Sequence, residues 1–203
     1  MTTLKEKLIL DGKVYNVTVG DAGSGGDVSP ITGGGAGTTV DSDQPELAIG
    51  VDRGYRLIPL RVKVSGHVDM DANAEDGDAI AFLDLTQAPV ADTETNKTGE
   101  TPQNLLDDPD GGDQFPGRAY SAVTADITDP VVTALLDAVH IQGSDNGTAG
   151  NLAVTELNLD WEGFYVAEGP CQLVVCWGGV AAVPGMCTVE VAAVPSDYDL
   201  SQL

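Results

Sequence analysis

The chain has 203 residues, of which 32 are acidic and 9 are basic, so its formal net charge is −23 at pH 7. Apolar residues make up 42% of it, which is enough to bury a core and argues against a wholly disordered acidic chain. This charge argues against direct binding to nucleic acid, which needs clustered Lys and Arg, and against binding to anionic membranes. No apolar run reaches the roughly 18 residues of a transmembrane helix, and no secretory signal is recognised at the N-terminus.

The basic residues are concentrated in the first third of the chain. Residues 1–63 contain seven of the nine, against eight acidic residues, whereas residues 64–203 carry 24 acidic residues against Lys97 and Arg118. Two interpretations stay open. Either the near-neutral part forms a docking face while the acidic part meets solvent, or the acidic residues lie in loops and keep the protein soluble.

The first 19 residues have the pattern of a β-hairpin. Two runs that favour strands, Leu4–Leu10 and Lys13–Val19, flank the dipeptide Asp11-Gly12. Asp-Gly between two such runs is a strong hairpin signal, because the turn requires a positive φ at both of its central positions. We predict that residues 1–19 form an arm of two strands that reaches a neighbouring subunit.

A Gly-rich linker is expected after the hairpin. Eight of the 24 residues from 20 to 43 are glycine and few of the others are apolar, so residues 20–44 are predicted to be flexible. A single domain is expected over residues 45–195. The remaining residues, 196–203, are predicted to form a polar tail that frays.

The domain contains short runs of β-favouring residues separated by turn residues. We predict strands at Leu47–Val51, Tyr55–Val64, Ala79–Leu85, Ser121–Ile127, Leu152–Trp161, Phe164–Val166, Cys171–Trp177 and Met186–Val194. Pro59 interrupts the second of them, which indicates an edge or a β-bulge. One short helix is predicted at Pro130–Val139, with Asp129 as its N-cap. This pattern predicts an all-β fold, an antiparallel β-sandwich or jelly roll.

No arrangement of residues in the sequence indicates a catalytic centre. The two histidines, His67 and His140, lack the sequence context of a catalytic triad. No Gly-rich loop is followed by the Lys-Ser or Lys-Thr of a phosphate-binding site. We expect a protein that is not an enzyme. A glycosidase with paired carboxylates is kept as an alternative, although every acidic loop would satisfy its requirement.

The acidic segment 69–78 is the best candidate for a metal site. Its oxygen-bearing side chains alternate, and the candidate calcium ligands among them are Asp69, Asp71, Asn73 and Glu75. The segment departs from the EF-hand pattern, since Ala74 stands where glycine is needed and Ile80 stands where a bidentate glutamate belongs. The alternative is a solvated turn between two strands, and no other cofactor is expected.

Three cysteines, Cys171, Cys176 and Cys187, form no pattern of zinc ligands. If the last two predicted strands pair around the turn between them, Cys176 lies opposite Cys187 and a cross-strand disulfide is feasible. Because no secretory signal is recognised, buried free thiols are the expected state.

Strand and turn residues between positions 45 and 195 form a pattern shared with a known family. The segments that carry it are Pro45-Glu46-Leu47-Ala48-Ile49-Gly50-Val51, Gly54-Tyr55, Leu57-Ile58-Pro59-Leu60-Arg61-Val62, Trp161-Glu162-Gly163, Glu168-Gly169-Pro170, and the prolines Pro184 and Pro195. With these segments the chain resembles a family of virion structural proteins from environmental, largely marine, bacteriophages. The resemblance implies a β-sandwich particle protein that is made in the host cytoplasm and located on the capsid surface.

The resemblance further implies a capsid decoration (cement) protein that stabilises the head lattice. Its partners would be the phage major capsid protein and sister copies in a homotrimer, because coat lattices offer three-fold sites. The residues expected to contact the capsid or a sister subunit are Lys5, Lys7, Lys13, Tyr15, Arg53, Arg56, Arg61 and Lys63. Two alternatives stay open: a single-jelly-roll major coat protein, and a carbohydrate- or receptor-binding sandwich of a fibre.

Overall fold

Two antiparallel β-sheets and one short helix make up the computed structural model of this protein. It describes residues 3–20, 31–33, 40, 42, 44–70, 76–89, 98–106, 114–121, 130–142, 151–160, 165–179 and 183–200. The elements are α1 (Leu4–Leu10), β1 (Val14–Val19), β2 (Ile31–Gly33), β3 (Leu47–Val51), β4 (Tyr55–Met70), β5 (Asp76–Asp84), β6 (Thr98–Glu100), β7 (Gln103–Asn104), β8 (Gly117–Ser121), β9 (Ala134–Gln142), β10 (Asn151–Asp160), β11 (Ala167–Glu168), β12 (Cys171–Gly179) and β13 (Val183–Pro195). Within these ranges, no helix has the length and apolar character that crossing a membrane requires.

Eight principal strands have the connectivity of a jelly roll. They pair in a nested order along the chain: β1 with β13, β3 with β12, β4 with β10, and β5 with β9. The first sheet has the order β10-β4-β13-β1-β7, and the second has the order β6-β8-β3-β12-β5-β9. Such nested pairing, divided between two sheets, is the jelly-roll arrangement. The predicted fold class, an all-β antiparallel sandwich or jelly roll, is therefore confirmed.

The main core lies between the two sheets, because alternate residues of each strand point inward. Val17, Val62 and Val189 from the first sheet belong to the same buried cluster as Leu173 and Trp177 from the second. Burial of this apolar surface is the main force that holds the sheets face to face.

The predicted N-terminal hairpin is wrong, because its first run, Leu4–Leu10, is the helix α1. Thr3 and Glu6 begin the helix with a capping box. The Glu6 backbone N–H donates to Thr3 Oγ1 at 3.2 Å, and the Thr3 backbone N–H donates to Glu6 Oε2 at 2.7 Å. Leu4 and Leu8 then lie one helical turn apart on one face. These helix signals outweigh the strand preference of the apolar run.

The helix ends in a Schellman motif built on the dipeptide Asp11-Gly12. Gly12 has a φ of +66°, and its N–H donates to the Ile9 carbonyl oxygen at 2.9 Å. The N–H of Lys13 donates to the Leu8 carbonyl oxygen, also at 2.9 Å. The positive φ that we expected in a hairpin turn therefore serves to end a helix.

Strand β1 is an interior strand of the first sheet and is not part of a separate arm. All six of its residues pair with β13, from Val14 opposite Ala192 to Val19 opposite Cys187. On its other side, two of its residues pair with β7. The N-terminal residues therefore help to build the sandwich itself.

A second apolar cluster packs α1 against the outer surface of the first sheet. Its buried members are Leu8, Val14, Ile58, Leu60, Ala192 and Val194. Tyr198 and Leu200 pack against the same cluster, so the beginning of the predicted polar tail is held on the sheet. Within the predicted flexible linker, residues 20–44, β2 pairs with β13, so this part of the linker belongs to the first sheet. Most of the other linker residues lie outside the described ranges, and the domain boundaries at 44 and 195 stay predictions.

The first strand of the predicted domain has the predicted bounds, and the proline in the next strand marks a bulge. Val191 pairs with Pro59 and Glu190 pairs with Arg61, which leaves Leu60 as the extra residue. Strand β4 lies between β10 and β13. Of the two predicted positions for this proline, the structure shows the bulge and not an edge.

The helix predicted at Pro130–Val139 is also wrong, because β9 occupies most of this segment. Strand β9 pairs with β5 from Asp76 opposite Gln142 to Leu83 opposite Ala134. Pairing with a neighbouring strand outweighs a local helix signal that rested mainly on the N-cap and the proline. The strand predicted at Ser121–Ile127 lies mostly outside the described residues.

The last two strands, β12 and β13, lie in different sheets and do not pair as a hairpin. Cys176 lies in a small cluster on the outer side of the second sheet, whereas Cys187 lies in the core between the sheets. The condition for a cross-strand disulfide is therefore not met, and all three cysteines are buried free thiols. Burial raises the pKa of Cys171 to about 11 and also raises that of Cys187, so both are poor nucleophiles at neutral pH.

Candidate functional site

The part of the first sheet that α1 does not cover carries polar side chains on its outer surface. Outward positions of β10, β4, β13 and β1 line up in two rows across the sheet. One row is Asn158, Lys63, Thr188 and Thr18, and the other is Asp160, Arg61, Glu190 and Asn16. We call these eight residues, together with Lys5, the outer polar face.

The outer polar face differs in charge from the chain as a whole. It carries three basic residues, Lys5, Arg61 and Lys63, against two acidic residues, Asp160 and Glu190. Lys5 Nζ forms an ion pair with Glu190, which ties α1 to the sheet, and Arg61 lies in register between Asp160 and Glu190. These nine residues therefore carry one net positive charge, on a chain whose net charge is −23.

Tyr15 does not belong to any exposed face, so its prediction as a contact residue is wrong. Its side chain is 1% exposed, and its ring meets that of Phe115 edge-on with a centroid distance of 5.1 Å. Its hydroxyl donates to the Gln114 carbonyl oxygen at 3.4 Å. Tyr15 is a core residue because β1 is an interior strand whose alternate residues point between the sheets.

Arg56 holds the C-terminal segment in place. Its Nε donates to Glu168 Oε2 at 2.8 Å, and its Nη1 donates to the Tyr198 carbonyl oxygen at 3.4 Å. Hydrogen bonds from Ser196 and Arg56 keep the pKa of Glu168 below its ordinary value. The side chain of Arg56 therefore contributes to the fold at a distance from the outer polar face.

The C-terminal segment is also attached to the end of α1. The Tyr198 hydroxyl donates to the carboxylate of Asp11. Burial, together with this hydrogen bond, raises the pKa of Tyr198 to about 12. The neutral phenol is thus the form that the folded protein favours.

We expect this attachment to be lost in strong alkali. A tyrosine with a raised pKa stabilises the folded state fully below its ordinary pKa of 10.0, and the contribution disappears as the pH rises through about 12. An ultraviolet titration of phenolate should show a step near pH 12 that is missing from the Tyr198→Phe variant. An identical titration curve for the two proteins would contradict this expectation.

A buried carboxylate on the outer side of the second sheet has a structural role. Asp84 accepts hydrogen bonds from the Thr86 N–H at 2.8 Å, from the Thr86 hydroxyl at 2.6 Å and from Gln172 Nε2 at 3.1 Å. Burial raises the pKa of Asp84, but these hydrogen bonds outweigh burial and leave the pKa below its usual value. The network joins β5 to β12, and sequence patterns did not indicate it because its members come from two distant segments.

A pocket of about 220 Å³ opens among residues of the first sheet and of the segment that leads into β8. Its lining residues are Lys13, Tyr15, Tyr55, Gln114, Pro116, Ala193 and Pro195. Among these, Lys13 is basic and none is acidic. The Tyr55 hydroxyl, the Gln114 amide and the Lys13 ammonium group can donate hydrogen bonds to the hydroxyl or carboxylate oxygens of a small ligand, whereas the Tyr15 hydroxyl already donates to the Gln114 carbonyl oxygen. Sequence patterns did not indicate this site, because its residues are far apart along the chain.

The predicted calcium site lies outside the described residues. Asp71, Asn73 and Glu75 fall in the segment 71–75, and the side chain of Asp69 is also outside the described part. Within the described ranges, no three His, Cys, Asp or Glu side chains are grouped so that they could hold a metal ion. The calcium site therefore stays a prediction.

Three of the eight predicted contact residues, Lys5, Arg61 and Lys63, come together on the outer polar face. Lys7 lies on α1, and Arg53 lies in the exposed turn between β3 and β4. The sequence matches no protein-family model, and no curated protein is similar to it. The strand order and the distribution of charge over the surface are therefore the observations that bear on function.

Proposed function

We propose that this protein is a structural protein of a bacteriophage virion, a decoration (cement) protein that binds the capsid and stabilises the head lattice. The observation that carries the proposal is the outer polar face, nine residues with a net charge of +1 on a jelly roll whose chain has a net charge of −23. Jelly rolls are a common fold of viral capsid proteins. The resemblance of residues 45–195 to virion proteins of environmental phages supports the same conclusion.

The outer polar face is the surface that would contact the capsid. Elsewhere the chain carries a large excess of acidic residues, which keeps that surface hydrated and repels acidic neighbours. On the outer polar face, Arg61 and Lys63 can pair with acidic residues of the lattice. Each exposed ion pair contributes only about 0–1 kcal/mol. The attachment therefore depends on many weak contacts that repeat across the lattice.

Quantitative mass spectrometry of purified phage particles that encode this chain tests the proposal. We expect on the order of hundreds of copies per particle, because lattice sites repeat by symmetry. The copy number should have a fixed ratio to that of a separate main shell protein. If this chain is itself the main shell protein, the alternative of a single-jelly-roll major coat protein is favoured. Absence from the particles would contradict both.

A charge-reversal variant tests the outer polar face directly. Particles grown from a genome that encodes Arg61→Glu with Lys63→Glu should carry about tenfold fewer copies or less, because like charges across a contact repel. The matched control is Lys97→Glu with Arg118→Glu, which changes the net charge equally at the two basic residues that are not among the predicted contact residues. Circular dichroism would show that both variants fold. Equal copy numbers for the two variants would contradict the assignment of this face.

The pocket lined by Tyr55, Lys13 and Gln114 favours a second candidate, a carbohydrate-binding sandwich of a phage fibre. A concave site with aromatic walls and a few polar donors is typical of small-ligand sites. Calorimetric titration with host-surface glycans distinguishes the two candidates. Saturable binding that the Tyr55→Ala variant abolishes would support the fibre role, whereas no binding is expected of a decoration protein.

A further inference from the structure

One edge of the second sheet carries exposed aliphatic side chains. Strand β9 is last in the order of that sheet, and within the described residues no strand pairs with its other side. Four side chains, Leu85, Val131, Val132 and Leu135, are between 42% and 53% exposed. The Leu85 N–H donates to Thr133 Oγ1 at 3.2 Å, which brings Leu85 beside the segment that leads into β9. We call these four residues the apolar edge.

A shallow groove continues the apolar edge along the outer surface of β5 and β9. It has a volume of about 230 Å³, and Ile80 and Ala138 form part of its lining. In the register of the two strands, Leu135 lies opposite Phe82 and Ala138 lies opposite Ile80. Asp78 also lines the groove, so the groove is only partly apolar, and the uncharged surface along this border is the apolar edge itself.

A charged residue near the middle of β9 protects part of its unpaired side. Exposed sheet edges invite pairing with another strand, and proteins commonly block them with charged residues. Asp137 does so here, since its carboxylate accepts the N–H of Ala138 at 2.8 Å. The preceding stretch, residues 130–136, contains no charged residue. Within this stretch, residues 134–136 belong to β9 and are the uncharged part of the strand that a partner strand can pair with.

We propose that the apolar edge is the contact between two copies of this chain, with their β9 strands antiparallel about a two-fold axis. Two chains of charge −23 repel each other over most of their surface, and the repulsion is weakest where neither carries a charge. A basic partner would instead be drawn to the acidic residues that give the chain this charge. A two-fold contact also gives each copy a partner for its unpaired strand.

The proposed contact changes the number of copies that we expect in the assembly. Two β9 edges can join only two copies, so a dimer is expected in place of the predicted trimer. The dimer does not depend on the proposed role in a virion, because it follows from the apolar edge alone.

Sedimentation equilibrium of the full chain over a range of concentrations tests the inference. The mass should rise to twice the 20.9 kDa of one chain. Added salt should strengthen the dimer, because it screens the repulsion between two acidic chains. The Leu135→Glu variant places two like charges near the axis and should weaken the dimer about 100-fold or more. The control is Leu10→Glu, the same replacement at a leucine of α1 that is 69% exposed, and it should dimerise normally.

Three outcomes would overturn the inference: a monomer at every concentration, a trimer, or a Leu135→Glu dimer as tight as that of the unmodified chain. Because Leu135 is largely exposed, the variant is expected to fold, and circular dichroism would verify this. If it does not fold, Val132→Glu provides the same test at a second exposed position. Hydrogen exchange of the β9 amides should slow in the dimer, and unchanged exchange would also contradict strand pairing.

Discussion

Removal of residues 1–19 should leave a chain that does not fold. These residues include β1, whose Tyr15, Val17 and Val19 lie in the main core, and they supply Leu8 and Val14 to the cluster beneath α1. Loss of each large buried side chain costs about 2–5 kcal/mol. Their combined loss exceeds the total stability of a typical domain, about 5–15 kcal/mol. Circular dichroism and the soluble yield of the truncated chain would measure the effect.

Two point variants test whether the N-terminal residues form a helix packed on the sheet or a loose arm, and they do so without removing residues 1–19. Leu8→Ala should lower the free energy of unfolding by about 2–5 kcal/mol, because the Leu8 side chain is fully buried between α1 and the first sheet. Leu10→Ala, in the same helix but largely exposed, should change it by less than about 0.5 kcal/mol. Urea unfolding gives both values. A truncated chain that is soluble and unfolds cooperatively would restore the interpretation of residues 1–19 as an arm.

Trp177→Ala should be among the most destabilising single substitutions, at about 3–5 kcal/mol. Trp177 is fully buried on β12 and is the largest of the fully buried side chains. Its Nε1 has no hydrogen-bond partner among the described residues. Trp177→Phe should therefore cost less, because it keeps an aromatic ring in the core and removes an unpaired donor. Thermal and urea unfolding of the two variants would measure the difference.

Gly185 offers a sharper test of the packing around Trp177. A Cβ at position 185 would lie 2.5 Å from Nε1 and 2.9 Å from Cε2 of the indole ring, which is too close for an unmoved neighbour. Gly185→Ala should thus cost about 1–3 kcal/mol in the unmodified chain. In the Trp177→Phe background the same change should cost much less, since those ring atoms are gone. Additive effects in this double-mutant cycle would contradict the predicted contact.

Part of the candidate surface could be predicted from the sequence. The run from Leu60 to Val64 alternates apolar and basic residues, a pattern that places Arg61 and Lys63 on one polar side of a strand, and both lie on the outer polar face. The burial of Tyr15 could not be predicted in the same way. Its burial depends on Phe115, one hundred positions further along the chain, and local composition contains no information about that contact.

Local sequence patterns were sufficient to predict the class of the fold. Period-two alternation and frequent turn residues are properties of neighbouring residues, and they indicated an antiparallel sandwich correctly. They were insufficient for Leu4–Leu10 and for the segment from residue 130 to 139, where short apolar runs suit a helix or a strand equally well. Helix capping at the N-terminus and pairing with β5 resolved these two cases.

The nested order of the strands, the separation of β12 from β13 and the exposed edge of β9 arise from contacts between distant segments. Which segments meet is set by the free energy of the whole sandwich, and no short stretch of the chain contains that information.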